Sequence, residues 1–167
     1  NLKNPWAIAY GPTSPFWISD NKTGLATLYN TGGTPQALVV TVPPPGGGTP
    51  PAAPTGQVFN GTTGFDRARF IFSSEDGTIS AWNGGTSATL KVDNSGASAN
   101  YKGLAIGNNG IGDFIYATNF FAGTIDVFNV TFSATTLAGS FVDPNIPAGY
   151  APFGIRKLFA GTFMKGG

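Results

Sequence analysis

The stretch Pro54-Thr55-Gly56-Gln57-Val58 decides the fold, because three related stretches occur elsewhere in the chain. Pro5-Trp6-Ala7-Ile8-Ala9 precedes it, and Tyr101-Lys102-Gly103-Leu104-Ala105 and Pro152-Phe153-Gly154-Ile155 follow it. Counted from the third residue of each, the four copies are separated by 49, 47 and 51 residues. A period of about 40–50 residues with several short strands per repeat is typical of a β-propeller. The sequence therefore predicts an all-β fold made of repeated blades.

Each repeat predicts four strands in the same order. After the first strand comes an aromatic-rich second strand, then a polar turn and an alternating third strand such as Thr78 to Trp82. A weaker fourth strand closes each unit, the last of them over Leu137 to Phe141. Aromatic and β-branched residues suit half-buried pleated strands. The predicted blades are residues 4–42, 54–93 and 101–143, with extra strands over 152–164.

Residues 43–54 join the first two blades and consist almost entirely of proline, glycine and alanine. Proline runs favour the extended polyproline conformation and glycine runs favour coil. We therefore predict a solvated, mobile linker at this position. With that linker included, residues 1–167 form a single partial propeller domain.

Three blades do not close a propeller, which needs roughly four to eight. An open arc leaves unpaired strand edges and uncovered apolar faces at both ends, and these are costly in water. The prediction is half of a six-bladed propeller whose ring is completed by homo-oligomerisation. A homodimer with a two-fold contact is the first choice and a trimer the alternative. The strands after Pro152 would then act as a clasp on the partner.

Composition excludes several classes of function. The chain contains no cysteine and no histidine, so thiolate nucleophiles, Ser-His-Asp triads and histidine-ligated zinc are impossible within it. Its net charge is +1 and only 10% of its residues are charged, which predicts no nucleic-acid partner. No apolar run reaches the roughly 18–20 residues of a membrane span.

The polar turns supply the candidate site. In a propeller, the turns between second and third strands and the starts of the first strands meet on one face around the axis. The candidate metal ligands are Asp20, Glu75, Asp76, Asn119 and Asn100. Such oxygen ligands suit calcium or another hard divalent cation. The cation would activate a water molecule, with Glu75 or Asp20 as the catalytic base.

A structural interpretation of the same residues stays open beside the catalytic one. Tight β-turns demand Asp, Asn and Gly whatever the function of the protein. Glu75-Asp76-Gly77-Thr78 is a good hairpin turn on these grounds alone.

Tryptophan and arginine side chains leave two further alternatives open. Trp6, Trp17 and Trp82 either line a ligand surface or pack between blades, and the strand patterns around Trp17 and Trp82 favour packing. Arg67 and Arg69 either bind an anion or lie in a solvated loop, which is the simpler interpretation.

The repeats resemble a set of secreted bacterial propeller proteins of uncharacterised function. The resemblance rests on residues 4–30, on Glu75-Asp76-Gly77-Thr78-Ile79-Ser80-Ala81-Trp82 and on Gly123-Thr124-Ile125-Asp126-Val127-Phe128. These proteins are related to NHL-repeat propellers and sometimes carry PEP-CTERM sorting signals. The resemblance implies a six-bladed ring, a secreted, periplasmic or extracellular location, and a chain truncated near its middle. It also implies likeness to six-bladed propellers of the gluconolactonase and paraoxonase type, which hold calcium on the axis.

Two functional hypotheses follow from these observations. The first is a self-assembling, secreted binding or scaffold module with a small-molecule ligand on the axis. The second is a calcium- or magnesium-dependent hydrolase of small esters or phosphoesters, similar to lactonases or phosphotriesterases. The absence of histidine excludes the commonest hydrolase chemistries and thereby favours the first hypothesis.

Overall fold

Three antiparallel sheets follow one another along the chain in the computed structural model, which describes residues 2–49, 51–139 and 141–158. The first sheet contains β1 (Pro5–Ala9), β2 (Phe16–Asp20), β3 (Leu25–Tyr29) and β4 (Pro35–Thr41). The second contains β5 (Pro54–Phe59), β6 (Phe70–Ser74), β7 (Thr78–Trp82) and β8 (Thr89–Asp93). The third contains β9 (Tyr101–Asn108), β10 (Asp113–Asn119) and β11 (Thr124–Phe128). Every strand pairs with its sequence neighbours, so each sheet is a meander.

The first strands of the three sheets lie side by side: β5 contacts β1 on one flank and β9 on the other. Buried hydrogen bonds join the sheets at this level. Ser19 donates its hydroxyl hydrogen to Oε1 of Gln57 (2.9 Å), and Thr55 donates to the carbonyl of Tyr101 (2.7 Å). The three sheets are therefore arranged as neighbouring blades, as the repeat predicts.

Residues 153–157 take the next place in this series. Thr118 donates its hydroxyl hydrogen to the carbonyl of Phe153 (2.7 Å), and a Cβ added to Gly103 would lie 3.1 Å from the backbone nitrogen of Ile155. The predicted extra strands over 152–164 differ from what is observed. Residues 152–158 contain no strand, and residues 159–164 lie outside the described residues. The segment occupies the position of a fourth first strand without pairing as one.

The third sheet has three strands, not the four that were predicted. Over Leu137 to Phe141 the described residues form no strand, and pairing to β11 is reduced to a single bridge between Phe128 and Ala134. Thr135 still donates its backbone N–H to Val127, after which the chain leaves the sheet. Small residues, including Gly139, follow at this point, and glycine weakens a strand because it packs no side chain.

The second sheet is buried on both faces. Every residue of β6 and β7 is buried, and successive side chains of a strand point to opposite faces. Phe70 and Phe72 pack toward the first sheet, where the indole of Trp17 stacks on Phe70 with ring centroids 4.2 Å apart. Ile71 packs toward the third sheet, in a core that also contains Phe65, Ile79, Tyr101, Leu104, Ile115 and Phe128. Trp17 and Trp82 therefore pack between sheets, whereas Trp6 is exposed.

The linker over residues 43–54 is only partly solvated. Ala52 and Ala53 are buried, and the backbone N–H of Ala53 donates to Oδ2 of Asp76 (2.6 Å). At its other end, the N–H of Gly46 donates to Asp93 (3.0 Å). This differs from the predicted solvated linker, because its last residues fill the space beside the turn between β6 and β7.

Close packing of the first strands predicts a position-specific effect of adding one methyl group. A Cβ at Gly56 would lie 2.3 Å from the backbone nitrogen of Leu104, whereas a Cβ at the equivalent Gly154 meets no heavy atom within 4 Å. We expect Gly56→Ala to lower the free energy of unfolding by about 1–3 kcal/mol or more, since the obstructing atoms are backbone. Gly96→Ala, where a Cβ likewise meets no heavy atom within 4 Å, should change it by less than about 0.5 kcal/mol. Urea unfolding measures both, and equal midpoints would contradict the packing described here.

Candidate functional site

An open groove of 1080 Å³ runs along the side of the molecule where the propeller axis lies. It is lined by β1, β5, β9 and residues 153–157, and is called the axial groove below. Its lining combines small, apolar, polar and aromatic side chains. One group of polar and aromatic side chains lies at the end of the groove where the first strands begin.

Equivalent positions of the sheets meet at that end. The strand registers place Pro5 opposite Asp20, Pro54 opposite Ser74 and Tyr101 opposite Asn119. The residues that follow these pairs therefore form one layer: Trp6, Thr55 and Lys102 on the first strands, and Asn21, Glu75 and Phe120 after the second strands.

Lys102 lies at the centre of this layer. Its ammonium group forms an ion pair with Oε1 of Glu75, and the two side chains are only 12% and 17% exposed. The same nitrogen lies 5.3 Å from the ring centroid of Trp6, 5.6 Å from that of Phe120 and 5.8 Å from that of Phe153. A cation within about 6 Å of an aromatic face is attracted by its quadrupole. One carboxylate and three aromatic rings therefore surround the lysine.

A chain of hydrogen bonds orients the carboxylate of Glu75. Asn21 donates from Nδ2 to Oε2 of Glu75 (3.1 Å) and accepts from Asn4 at its Oδ1 (3.1 Å). Asn4 in turn accepts from the indole N–H of Trp6 (3.3 Å). Because Asn21 is buried and comes from the turn after β2, this chain connects the first sheet to the second.

Burial and the neighbouring polar groups act in opposite directions on the pKa of Glu75. Burial acts to raise it, but hydrogen bonds from Lys102 and Asn21 and the positive charges of Lys102 and Lys22 outweigh burial, and the pKa falls below its ordinary value of 4.5. Both oxygens of the carboxylate are already bonded. An ionised carboxylate with a lowered pKa and a fixed counter-ion is a weak base, since a general base works best with a pKa near the working pH.

Asp20 and Asp76 each stabilise local structure. Asp20 is buried, accepts the backbone N–H of Lys3 at Oδ1 (3.1 Å) and accepts the hydroxyl of Thr27 at Oδ2 (2.6 Å). Asp76 accepts the N–H of Ala53 at Oδ2. These carboxylates hold the segment before β1 and the end of the linker against the turns.

Asn119 and Asn100 form a separate structural group. Asn119 accepts the N–H of Asn100 (3.2 Å) and that of Ala122 (3.3 Å), and donates to Asp126 (3.0 Å). The Oδ1 atom of Asn100 is buried and has no hydrogen-bond partner among the described residues.

As arranged in this chain, the five predicted ligands do not fit a hard divalent cation. Within residues 2–49, 51–139 and 141–158, no three Asp, Glu, His or Cys side chains are placed to share an ion. Calcium takes about six to eight oxygen ligands. Here Glu75 faces Lys102, while Asp20, Asp76 and Asn119 are each engaged by backbone groups.

Two aromatic residues of the layer were missed by sequence reasoning. Phe120 follows β10 where Asn21 and Glu75 follow β2 and β6, and Phe153 occupies the place of Trp6 and Lys102 in the fourth copy of the repeat. The sequence prediction omitted both of them because it considered only polar side chains as possible ligands. Aligning the repeats position by position would have found them.

The three neighbouring sheets define a β-propeller-like fold, and solved structures of that class are similar to this chain. Virginiamycin B lyase from Staphylococcus aureus matches with a TM-score of 0.59 and 17% identity, over 78% of this chain and 40% of the lyase. A catalytically inactive histidine-to-alanine variant of the same enzyme, with quinupristin, matches with a TM-score of 0.63 and 16% identity, over 90% and 44%. A streptogramin B lyase structure gives 0.63 and 15%, over 93% and 45%.

At these identities the likeness is one of fold. The chain spans less than half the length of the lyases that it matches. No protein-family model matches the sequence, and no curated protein matches it. Among the described residues, no helix has the length and apolar character needed to cross a membrane.

The lowered pKa of Glu75 predicts a pH-dependent contribution to stability. A carboxylate whose pKa is lower in the folded state stabilises the fold above its unfolded pKa, and this contribution disappears as the pH falls through the folded pKa. We expect Glu75→Gln to cost about 1–3 kcal/mol at neutral pH, because it leaves the poorly exposed Lys102 without a counter-ion. The difference from wild type should shrink as the pH falls below 4.5.

Denaturant unfolding at several pH values measures this difference. Asp66→Asn is the matched control, since it removes an ion pair with Lys91 in which the aspartate is 61% exposed. Such exposed pairs contribute little to stability. A Glu75→Gln effect that is the same at pH 7 and pH 3 would show that the charge of Glu75 is not what stabilises the layer.

Proposed function

We propose that this chain forms part of a secreted β-propeller that acts as a non-catalytic binding or scaffold module, with its ring completed by a second copy of the chain. One observation carries the assembly part of the proposal. The second sheet has neighbours on both faces and its two central strands are wholly buried, whereas among the described residues the first sheet has a neighbouring sheet on one face only.

The uncovered side of the first sheet carries apolar residues. Ile8 of β1 is 58% exposed and Val39 of β4 is 39% exposed, although both lie in regular strands. Burying apolar surface stabilises an assembly by roughly 25 cal/mol per Å². The second sheet shows how a covered blade is packed, so the first sheet lacks a neighbour of the same kind.

The other end of the arc is also apolar. In the segment after the third sheet Phe141, Val142 and Phe153 are exposed, although Tyr116 packs on Phe141 with ring centroids 5.7 Å apart. A two-fold dimer would place this end of each copy against the first sheet of its partner. The six-bladed ring, and the trimer as its alternative, follow from the family resemblance and from the count of three blades.

The binding part of the proposal rests on the axial groove. Its aromatic and charged end offers an apolar, partly exposed surface to a small ligand, whereas the carboxylates that could act as bases are engaged in structural bonds. The inactive lyase variant has a histidine replaced, and this chain contains no histidine. Histidine chemistry is therefore beyond the residues of this chain, which favours binding over catalysis.

The assembly prediction is tested by sedimentation at micromolar concentration. We expect the wild-type chain to sediment as an oligomer, with the dimer as the first choice, and Ile8→Lys to shift it toward monomer without loss of the β-sheet circular dichroism signal. A charge placed in an apolar contact is costly because it loses its hydration. Ile111→Lys is the matched control, since Ile111 is 93% exposed in the loop before β10 and should have no effect. A compact folded wild-type monomer would refute ring closure by self-association.

The hydrolase hypothesis makes the opposite prediction about metal removal. Because the candidate ligands do not converge, we expect EDTA to leave the thermal unfolding midpoint unchanged relative to protein supplied with calcium. We also expect no turnover of activated esters, lactones or phosphoesters. Chelator-sensitive turnover that Glu75→Gln or Asp20→Asn abolishes would support the metal-dependent hydrolase and overturn the binding module.

A further inference from the structure

Three Asn-Gly pairs follow strands of the first-strand or third-strand type: Asn60-Gly61, Asn83-Gly84 and Asn109-Gly110. We propose that Asn83 is a modification site, which deamidates in the folded protein while the other two asparagines are protected, and that the change alters the contact between the first two sheets. Asparagine is a chemically thermolabile residue. A following glycine makes it more reactive, because no Cβ hinders the approach of the glycine nitrogen.

The reaction has two steps and consumes only water. The backbone nitrogen of Gly84 loses its proton to solvent and attacks Cγ of Asn83, so a new C–N bond forms and the bond between Cγ and Nδ2 breaks. Nδ2 takes a proton from solvent and leaves as ammonia. Water then opens the resulting succinimide ring. Opening at Cγ gives aspartate, whereas opening at the main-chain carbonyl carbon gives isoaspartate, in which the main chain runs through Cβ.

Both reacting groups are free at Asn83. The residue is exposed, and neither its side chain nor the N–H of Gly84 forms a hydrogen bond with a described residue. A Cβ added to Gly84 or Gly85 would meet no heavy atom within 4 Å. The loop therefore leaves room for the rotation that brings the nitrogen of Gly84 to Cγ of Asn83.

The side chain of Asn60 is held on both of its polar atoms. The residue is buried, and its Nδ2 donates to the carbonyls of Gly64 (3.1 Å) and Ala68 (2.8 Å). Its Oδ1 accepts the N–H (3.0 Å) and the hydroxyl (2.8 Å) of Thr62. Ring closure would break these bonds inside the protein. Because unmade buried hydrogen bonds are costly, we expect Asn60 to be protected.

The pair at Asn109 is exposed but is also held by hydrogen bonds. Oδ1 of Asn109 accepts the N–H groups of Ile111 and Gly112, both at 3.0 Å. The nucleophile is engaged as well, because the N–H of Gly110 donates to Oδ1 of Asn108 (2.8 Å). Exposure alone therefore does not distinguish Asn83 from Asn109. The difference lies in the bonds that must break before the ring can close.

The product affects the packing between the first two sheets. The indole N–H of Trp82 donates to the carbonyl of Gly85 (2.9 Å), and its ring centroid lies 4.6 Å from that of Trp17. Isoaspartate at position 83 adds one carbon to the main chain between these two groups, which displaces the acceptor. Both products also add a carboxylate beside Arg69, whose backbone N–H donates to the carbonyl of Trp82 (2.7 Å).

The inference is independent of ring closure and of ligand binding, and it is tested on the whole folded chain. The protein is incubated at mildly alkaline pH and physiological temperature, and digests are analysed by mass spectrometry with separation of aspartate from isoaspartate peptides. We expect Asn83 to convert at least about tenfold faster than Asn60 or Asn109, because several hydrogen bonds must break before either of these reacts. In guanidinium chloride above the unfolding transition, the three rates should become similar.

Two variants provide the controls. Asn83→Gln should abolish conversion at this position, because its extra methylene group disfavours ring closure, whereas Asn109→Gln removes the other exposed pair and should leave conversion at position 83 unchanged. As the wild type ages, the indole ¹H–¹⁵N resonance of Trp82 should shift, and it should stay in place in Asn83→Gln. Conversion at Asn60 or Asn109 as fast as at Asn83, or no conversion at Asn83, would overturn the modification site. Conversion at Asn83 without a shift of the Trp82 resonance would overturn its effect on the sheet contact.

Discussion

The close approach of neighbouring first strands is the constraint on which the rest of the structure depends. At Gly56 the space for a side chain is already taken by the backbone of Leu104, and at Gly103 by residues 153–155. Only a residue without a Cβ lets these strands come so near. Because the strands are close, the second sheet is covered on both faces and the strand starts gather at one end of the axial groove.

The layer around Lys102 forms because the first strands of neighbouring sheets begin at the same end of the axial groove. Equivalent positions from different sheets meet there, but the repeats have diverged to a tryptophan, a lysine, a glutamate and two phenylalanines. Among the residues that the structure describes, the carboxylate of Glu75 is the one in this layer, and the ammonium group of Lys102 neutralises it. The surface is therefore aromatic with a balanced charge, which suits recognition of a ligand better than proton transfer.

Most of the strands were predictable because local rules and the tertiary fold agree. Alternation in Thr78 to Trp82 and the aromatic runs before the turns hold whether or not the sheets are assembled. The predictions were wrong where contacts with distant parts of the chain determine whether a segment forms a strand or is buried. The residues over Leu137 to Phe141 have enough apolar character for a strand but form none, and Ala52 and Ala53 look like linker but are buried. The candidate carboxylates were correctly placed in turns, yet their partners come from distant segments, such as Lys3 for Asp20 and Ala53 for Asp76.

The sequence by itself determined the repeat, the strand order within each repeat and the exclusion of histidine and cysteine chemistry, since these depend only on residue type and spacing. The tertiary structure alone decided which side chains meet. Lys102 reaches Glu75 and three aromatic rings because four separate segments converge on one axis, and no local pattern records that convergence. The four copies of the short stretch around Gly56 predict the blades. How the blades pack, and which charges that packing neutralises, was settled by contacts between residues far apart in the chain.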